Sequence, residues 1–202
     1  MIYEYLIKYL RFSIFILTSI TISIKNYLKS KIDPKKKIVS FIIGGPNKYY
    51  SYDDNVVDNV FLNIKKKFIQ NNYQAIIIPS MRTPEKIIEN AKNYFDNNQI
   101  IISNVDKKAY LSSLQLADHI VVTCDSTSMI SEASLTGKPI YVAQMPAIKK
   151  NHRFKDFFEL FESLNIIKNL GTPLEVWNYQ KLDETQRVSS YIKDKIEKHD
   201  FS

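Results

Sequence analysis

The sequence has few of the residues that mark several common classes of protein. Its 202 residues include one cysteine, Cys124, so no internal disulfide can form and a reducing compartment is favoured. No group of Cys, His and Asp has the spacing of a zinc site. There are only four glycines, and neither G-x-x-x-x-G-K-[ST] nor G-x-G-x-x-G occurs, which disfavours a P-loop NTPase and an ordinary NAD-binding unit. We therefore expect no metal and no cofactor.

Residues 1–35 form an N-terminal extension that also lacks a long apolar run. Its uncharged stretch, Phe12–Ile24, has 13 residues, whereas about 20 are needed to span a bilayer. No small-x-small cleavage site follows, as a secretory signal peptide would require. Three interpretations stay open: an interfacial membrane anchor, a segment packed on the domain, or the remnant of a missing upstream domain.

The net charge of +7 is concentrated at the same end of the chain. Residues 1–37 contain eight Lys and Arg against Glu4 and Asp33, whereas the other 165 residues contain 20 basic and 19 acidic side chains. A nucleic-acid-binding protein is expected to carry its excess charge on the folded domain. The distribution instead favours an anionic membrane surface as a partner and disfavours nucleic acid. The expected location is cytoplasmic, with peripheral attachment to the inner face of the membrane as an option.

From residue 36 to residue 202 the pattern predicts one α/β domain. Short β-branched runs alternate with longer helical ones, as in a parallel sheet with crossover helices. The runs are apolar throughout, which indicates a Rossmann-like sheet of about five to six strands with helices on both faces. The predicted strands are Ile38–Ile43, Ala75–Ile78, Gln99–Ile102, His119–Thr123 and Pro139–Val142. The predicted helices lie near 54–70, 84–95, 107–116, 127–136, 153–164 and 183–199.

Ligands of such sheets bind at the carboxyl ends of the strands, near the point where the strand order reverses. The first predicted strand ends in Gly44 and Gly45, with Asn47 close behind. Without a Cβ, the two glycines let the backbone approach a ligand closely. A plain tight turn is the alternative.

The loop after the second predicted strand contains Ser80, Arg82 and Thr83. Thr83 followed by Pro84 predicts the N-cap and first residue of a helix. Arg82 then lies beside a helix N-terminus, and these two sources of positive potential favour a phosphate or carboxylate. The alternative is an arginine paired with a surface acid.

The loop after the fourth predicted strand has the richest chemistry. Ser126, Thr127 and Ser128 surround a predicted helix N-terminus, which suits a diphosphate because several donors and the helix dipole converge there. Asp125 is a candidate for orienting a hydroxyl or a sugar. Glu132 lies on roughly the same side as Ser128, where its carboxylate could accept from ribose hydroxyls. The alternative is that Ser126 only caps the helix and Glu132 is solvated.

These motifs together resemble a known family. The resemblance is carried by Gly44-Gly45-Pro46-Asn47, Ser80-x-Arg82-Thr83-Pro84, Ala117-Asp118, Val122-Thr123-x-Asp125-Ser126-x-Ser128-Met129-x-x-Glu132-Ala133, Gly137-Lys138-Pro139, Arg153-Phe154 and Trp177-x-Tyr179 with Leu182-Asp183-Glu184-Thr185. Over about residues 38–190 the chain is similar to the plant mitochondrial-fission "elongated mitochondria" family and its bacterial relatives. Those proteins are similar in fold to GT-B glycosyltransferases.

The resemblance implies the C-terminal, nucleotide-binding half of a GT-B-like protein. Ser126–Ser128 would hold the diphosphate of a nucleoside diphosphate sugar, Glu132 the ribose, and Ser80, Arg82 and Thr83 would face the interdomain cleft. Two departures are visible: Met81 stands where the family commonly has a second arginine, and about 35 residues replace a whole N-terminal domain. That domain usually supplies the acceptor site and the catalytic base, so no catalytic residue is assigned here.

The leading hypothesis is therefore binding of a nucleotide or nucleoside diphosphate sugar. Glycosyl transfer is expected only if a separate N-terminal acceptor domain completes the cleft. The competing hypothesis is a non-catalytic adaptor at a membrane surface, which the basic N-terminal segment favours.

Overall fold

A computed structural model describes residues 26–149, 152–181 and 189–193. The Phe12–Ile24 run lies outside the described residues, as does most of the helix predicted near 183–199. Within the described residues, no helix has both the length and the apolar character needed to cross a bilayer.

The core of the domain is a six-stranded sheet in which every neighbouring pair of strands is parallel. The strand order is β3-β2-β1-β4-β5-β6, the doubly wound arrangement. The order reverses between β1 and β4, which pair directly. The strands are β1 Lys37–Ile43, β2 Tyr73–Pro79, β3 Ile100–Ile101, β4 His119–Thr123, β5 Ile140–Ala143 and β6 Ile167–Asn169.

Helices connect the strands and cover the sheet. They are α1 Asp54–Lys67, α2 Glu85–Tyr94, α3 Lys107–Leu116, α4 Thr127–Ser134 and α5 His152–Ser163, with short 3-10 turns at Lys29–Lys31 and Ile69–Asn71. Right-handed crossovers place α1 and α2 on one face and α3, α4 and α5 on the other. The central strands β2, β4 and β5 are buried at every residue, which explains why their sequences are apolar rather than alternating.

The predicted fold class is confirmed, with differences at the edges of the sheet. His119–Thr123 and the helix at 107–116 have the predicted bounds. β3 is Ile100–Ile101 rather than Gln99–Ile102. At its start, the Gln99 side chain, rather than its backbone, accepts the Ala75 N–H at 2.7 Å. β6 was not among the predicted strands, because a three-residue strand with one buried side chain has no detectable periodicity.

The described part of the N-terminal extension packs against α3. Leu28 is buried, and its N–H donates to the Ser112 hydroxyl at 3.3 Å. The Tyr27 hydroxyl donates to Asp106 Oδ2 at 2.6 Å, and the same carboxylate caps the N-terminus of α3. Residues 26–28 therefore contact the domain that begins at β1.

Candidate functional site

The loops after β1, β2 and β4 meet at the carboxyl edge of the sheet, where the strand order reverses. Direct hydrogen bonds join them. The Ser80 N–H donates to Ile43 O at 2.9 Å, and the Gly44 N–H donates to the Thr123 hydroxyl at 2.7 Å. This is the position at which doubly wound sheets bind ligands.

Asp125 lies at the centre of this junction. Its carboxylate accepts from the Thr123 hydroxyl at 2.6 Å, from Arg82 Nη2 at 2.7 Å, from the Gly45 N–H at 3.2 Å and from the Tyr52 hydroxyl. The Asp125 side chain is fully buried, whereas the Arg82 side chain is 46% exposed. One buried carboxylate thus connects all three loops.

The contacts of Asp125 differ from the role predicted from sequence, which was to orient a hydroxyl or a sugar of a ligand. A side chain with no exposed surface and four donors from its own chain has no capacity left to orient a ligand hydroxyl. Arg82 pairs with this buried acid rather than with a surface acid. The Asp125 carboxylate therefore takes a place beside Arg82 where the sequence predicted the phosphate or carboxylate of a ligand.

The two glycines after β1 permit this arrangement. A Cβ on Gly44 would lie 2.1 Å from Asp125 Oδ1, and a Cβ on Gly45 would lie 1.9 Å from the Arg82 carbonyl oxygen. Both distances are far below van der Waals contact. The close approach that the glycines allow is therefore an approach of the chain to itself.

Ser80 and Thr83 join the β2 loop to β1. The Thr83 hydroxyl lies 2.7 Å from Ile43 O and 2.9 Å from Gly44 O, and it accepts the Ser80 N–H at 2.8 Å. The prediction that Thr83 is the N-cap of α2 is wrong. Pro84 has extended backbone angles and precedes the first helical residue, Glu85, so Thr83 is one residue too early to cap.

Asn47 is also engaged within the chain. Its amide nitrogen donates to the Asp125 carbonyl at 3.2 Å, and its Oδ1 accepts the N–H groups of Tyr49 and Tyr50 at 2.7 and 3.0 Å. Tyr50 then pairs with Ala147 in an isolated antiparallel bridge. Asn47 thereby shapes the β1 loop, which in turn holds the loop after β5.

The N-terminus of α4 is only partly buried. Ser126 is its N-cap and accepts the Met129 N–H at 3.4 Å, while Ser128 is exposed. Arg82 Nη2 also lies 3.5 Å from the Asp125 carbonyl, next to Ser126 in the chain. A half-exposed cation and a hydroxyl-bearing helix N-terminus are thus adjacent, as the sequence predicted.

Glu132 lies further along α4 and is exposed. The hydroxyl of Tyr110 donates to Glu132 Oε2 at 2.7 Å. Burial and then the Glu132 charge raise the pKa of Tyr110 above its usual value, so the hydroxyl keeps its proton at neutral pH. Neither Tyr52 nor Tyr110 was among the predicted site residues, because nothing local in the sequence distinguishes them from the other tyrosines, of which the chain has 13 in all.

Two other candidates have structural roles. The Cys124 thiol is buried, accepts the Met145 N–H at 3.2 Å, and has its pKa raised by burial to about 11. His119 is buried between Tyr73 and Tyr141 at the other end of β4. No group of three or more His, Cys, Asp or Glu side chains suited to a metal ion occurs among residues 26–149, 152–181 and 189–193.

Comparison with protein families finds a match to a family described as Mitochondrial fission ELM1 over residues 19–196. Uncharacterized protein RP120 of Rickettsia prowazekii is 30% identical over 166 residues, which cover 78% of this chain and 46% of that protein. Mitochondrial fission protein ELM1 of Arabidopsis thaliana is 30% identical over 122 residues, 58% of this chain and 28% of that protein. The chain thus matches less than half the length of either relative.

Among solved structures, the fold is similar to UDP-GlcNAc 2-epimerase from Neisseria meningitidis bound to UDP-GlcNAc. The TM-score is 0.51 at 13% identity, and the match covers 93% of this chain and 44% of that one. At this identity the likeness concerns the fold alone: a Rossmann-like parallel sheet of the GT-B type.

Proposed function

The chain belongs to the mitochondrial fission ELM1 family, and from that premise we propose that it binds a nucleoside diphosphate sugar, or the nucleotide alone, at the carboxyl edge of its sheet. In this proposal the diphosphate lies at the N-terminus of α4, with Ser126, Thr127 and Ser128 as hydroxyl donors. Arg82 contributes positive charge from the neighbouring loop.

One observation supports the proposal above all others. The Arg82–Asp125 ion pair, at 2.7 Å, fixes the only charged side chain of the β2 loop beside the N-cap of α4. Phosphate oxygens are favoured at helix N-termini because the first N–H groups have no partner within the helix and the dipole is positive there. A guanidinium at the same place adds a planar donor suited to phosphate.

The pair also sets a limit on the strength of binding. Asp125 neutralises much of the charge of Arg82, so Arg82 attracts a phosphate less strongly than a free cation would. Met81, the neighbouring residue, is 86% exposed and adds no charge. We therefore propose that the affinity depends mainly on the α4 N-terminus and only partly on Arg82.

Thermal-shift measurements against UDP-, GDP- and CMP-sugars test the proposal. A ligand at 100 times its dissociation constant stabilises the folded chain by about 2.7 kcal/mol. Arg82→Ala and Ser126→Ala should reduce the shift, and Met81→Arg should increase it by adding a second cation. Lys86→Ala is the matched control, because the exposed Lys86 pairs with the exposed Asp54 and not with Asp125.

Unchanged shifts in both Arg82→Ala and Ser126→Ala would place the ligand elsewhere on the chain. Glycosyl transfer is a further proposal, since this chain spans 46% of its rickettsial relative. It would require a facing domain that supplies the acceptor site, so binding without turnover is the expected result for this chain alone.

A further inference from the structure

The amino edge of the sheet, opposite the candidate site, carries a dense group of lysines. Four of them lie in residues 31–37, which lead into β1 and contain one acidic residue, Asp33. Three more stand in the last turn of α1, which runs from the carboxyl edge to the amino edge. These seven lysines, the basic edge, are Lys31, Lys35, Lys36, Lys37, Lys65, Lys66 and Lys67.

Three amide side chains bring the two lysine-rich stretches together. The Asn71 amide donates to the carbonyl oxygens of the last two residues of α1, at 3.2 and 3.0 Å. The Asn72 amide donates to Lys35 O at 3.2 Å, and the Gln74 amide donates to Lys31 O at 3.1 Å. Charge that the sequence divides between an N-terminal stretch and a distant helix is thereby collected on one surface.

The charges of the basic edge face solvent. Five of its lysines are exposed, and the other two, Lys36 and Lys67, are partly buried. Within residues 26–149, 152–181 and 189–193, none of the seven makes an ion pair. The Asp33 carboxylate, which lies among them, accepts the Lys35 N–H at 2.9 Å. The basic edge therefore presents positive charge that no described carboxylate pairs with directly.

The chemistry of the basic edge favours lipid over nucleic acid. It contains lysine and no arginine, whereas arginine is the side chain suited to bidentate recognition of bases and phosphates. Its one phenylalanine, Phe68, is buried, so it offers no ring on which a base could stack. Groups of about four to eight lysines or arginines beside an apolar segment are typical of attraction to anionic lipid. Such a segment, the uncharged Phe12–Ile24 run, precedes the basic edge in the chain.

We propose that the basic edge docks the domain on an anionic membrane surface, with the candidate site facing away from the lipid. The seven residues of β1 separate the two edges by about 20 Å. A nucleotide at the carboxyl edge and a membrane at the amino edge can therefore be bound at the same time. The proposal is independent of the proposed function, because the two surfaces share no residue.

Co-sedimentation of the whole chain with lipid vesicles tests the proposal. Vesicles of phosphatidylcholine containing about 30% phosphatidylglycerol should bind at least about tenfold more tightly than vesicles of phosphatidylcholine alone. Raising the salt concentration from about 0.1 M to about 0.5 M should remove most of the binding, because it shortens the screening length. Each lysine near the surface is expected to contribute about fivefold to the partition coefficient. The double variant Lys35→Gln, Lys66→Gln should therefore lower it by about tenfold or more.

The double variant Lys86→Gln, Lys155→Gln is the matched control. It makes the same change in net charge at two exposed lysines, which lie within the first four residues of α2 and α5, at the carboxyl edge. Its partition coefficient should stay within about twofold of the wild-type value. Should Lys35→Gln, Lys66→Gln fail to fold, Lys31→Gln, Lys65→Gln removes two other exposed charges of the basic edge and should lose the same affinity.

Several results would overturn the proposal. Equal binding to the two kinds of vesicle, or none to either, would show that anionic lipid is not the partner. Equal losses in the two double variants would mean that net charge, and not the basic edge, governs binding. Displacement of the chain from vesicles by a single-stranded RNA at equal phosphate concentration would assign the basic edge to nucleic acid. None of these results changes the nucleotide-dependent thermal shifts on which the proposed function depends.

Discussion

Replacing Asp125 by alanine should destabilise the domain more than removal of any exposed carboxylate. The change leaves the Gly45 N–H and the hydroxyls of Thr123 and Tyr52 without their shared acceptor, and it unpairs Arg82. Breaking a buried ion pair by removing one partner costs about 3–5 kcal/mol. Because Arg82 is 46% exposed and can be solvated, the lower end of that range, about 3 kcal/mol, is expected.

The assay is thermal and urea unfolding followed by circular dichroism at pH 7. For a domain of this size, 1 kcal/mol corresponds to roughly 2–4 °C, so a loss of about 3 kcal/mol lowers Tm by roughly 6–12 °C. Asp54→Ala is the control, because Asp54 has a similar contact, 2.5 Å to Lys86, but 59% of its side chain is exposed. Its loss should cost about 0–1 kcal/mol.

A Tm for Asp125→Ala within about 2 °C of that for Asp54→Ala would refute the reasoning, since the burial of Asp125 would then have no energetic consequence. The urea m-value should be unchanged in both variants. A large change in the m-value of Asp125→Ala would mean that the compactness of one state, not the buried network, had changed.

Three further predictions concern other parts of the domain. Gly45→Ala should lower the free energy of unfolding by about 1–3 kcal/mol or more, because the new Cβ would lie 1.9 Å from the backbone oxygen of Arg82. Gly171→Ala is the control: the nearest neighbour of its Cβ is a side-chain atom at 3.2 Å, so the free energy of unfolding should change by about 0.5 kcal/mol or less. Burial lowers the pKa of His119 below 6.5, so the unfolded chain binds the proton more readily than the folded chain. The contribution of neutral His119 to stability should therefore be fully present above pH 6.5 and be lost as the pH falls through the folded-state pKa. His119→Gln should flatten this pH dependence. Burial raises the pKa of Cys124 to about 11, so its thiol should react with iodoacetamide at pH 8 much faster in the unfolded chain than in the folded one.

Each of these has an outcome that contradicts it. Equal stability of the two alanine variants would mean that the β1 and β2 loops are not in close contact. A pH dependence unchanged by His119→Gln would assign the titration to another group. Rapid alkylation of Cys124 in the folded chain would mean that the thiol is accessible.

Sequence alone determined the fold class and the edge of the sheet at which the candidate site lies. The runs at Ile38–Ile43, Ala75–Ile78 and His119–Thr123 are local signals, since a strand covered on both faces is rich in apolar residues along its whole length. The position of loops at strand ends follows from parallel topology. The proximity of Arg82 to the helix that begins near Ser126 is therefore predictable from sequence.

Only the tertiary structure decided what occupies the space between those loops. The partners of Asp125 are 43 residues away at Arg82, 73 at Tyr52 and 80 at Gly45, and no local pattern encodes contacts over such separations. Whether Asp125 binds a ligand or its own chain depends on burial, and burial is a property of the packed loops. The contact of Tyr110 with Glu132 has the same origin, since it forms only because α3 and α4 lie side by side.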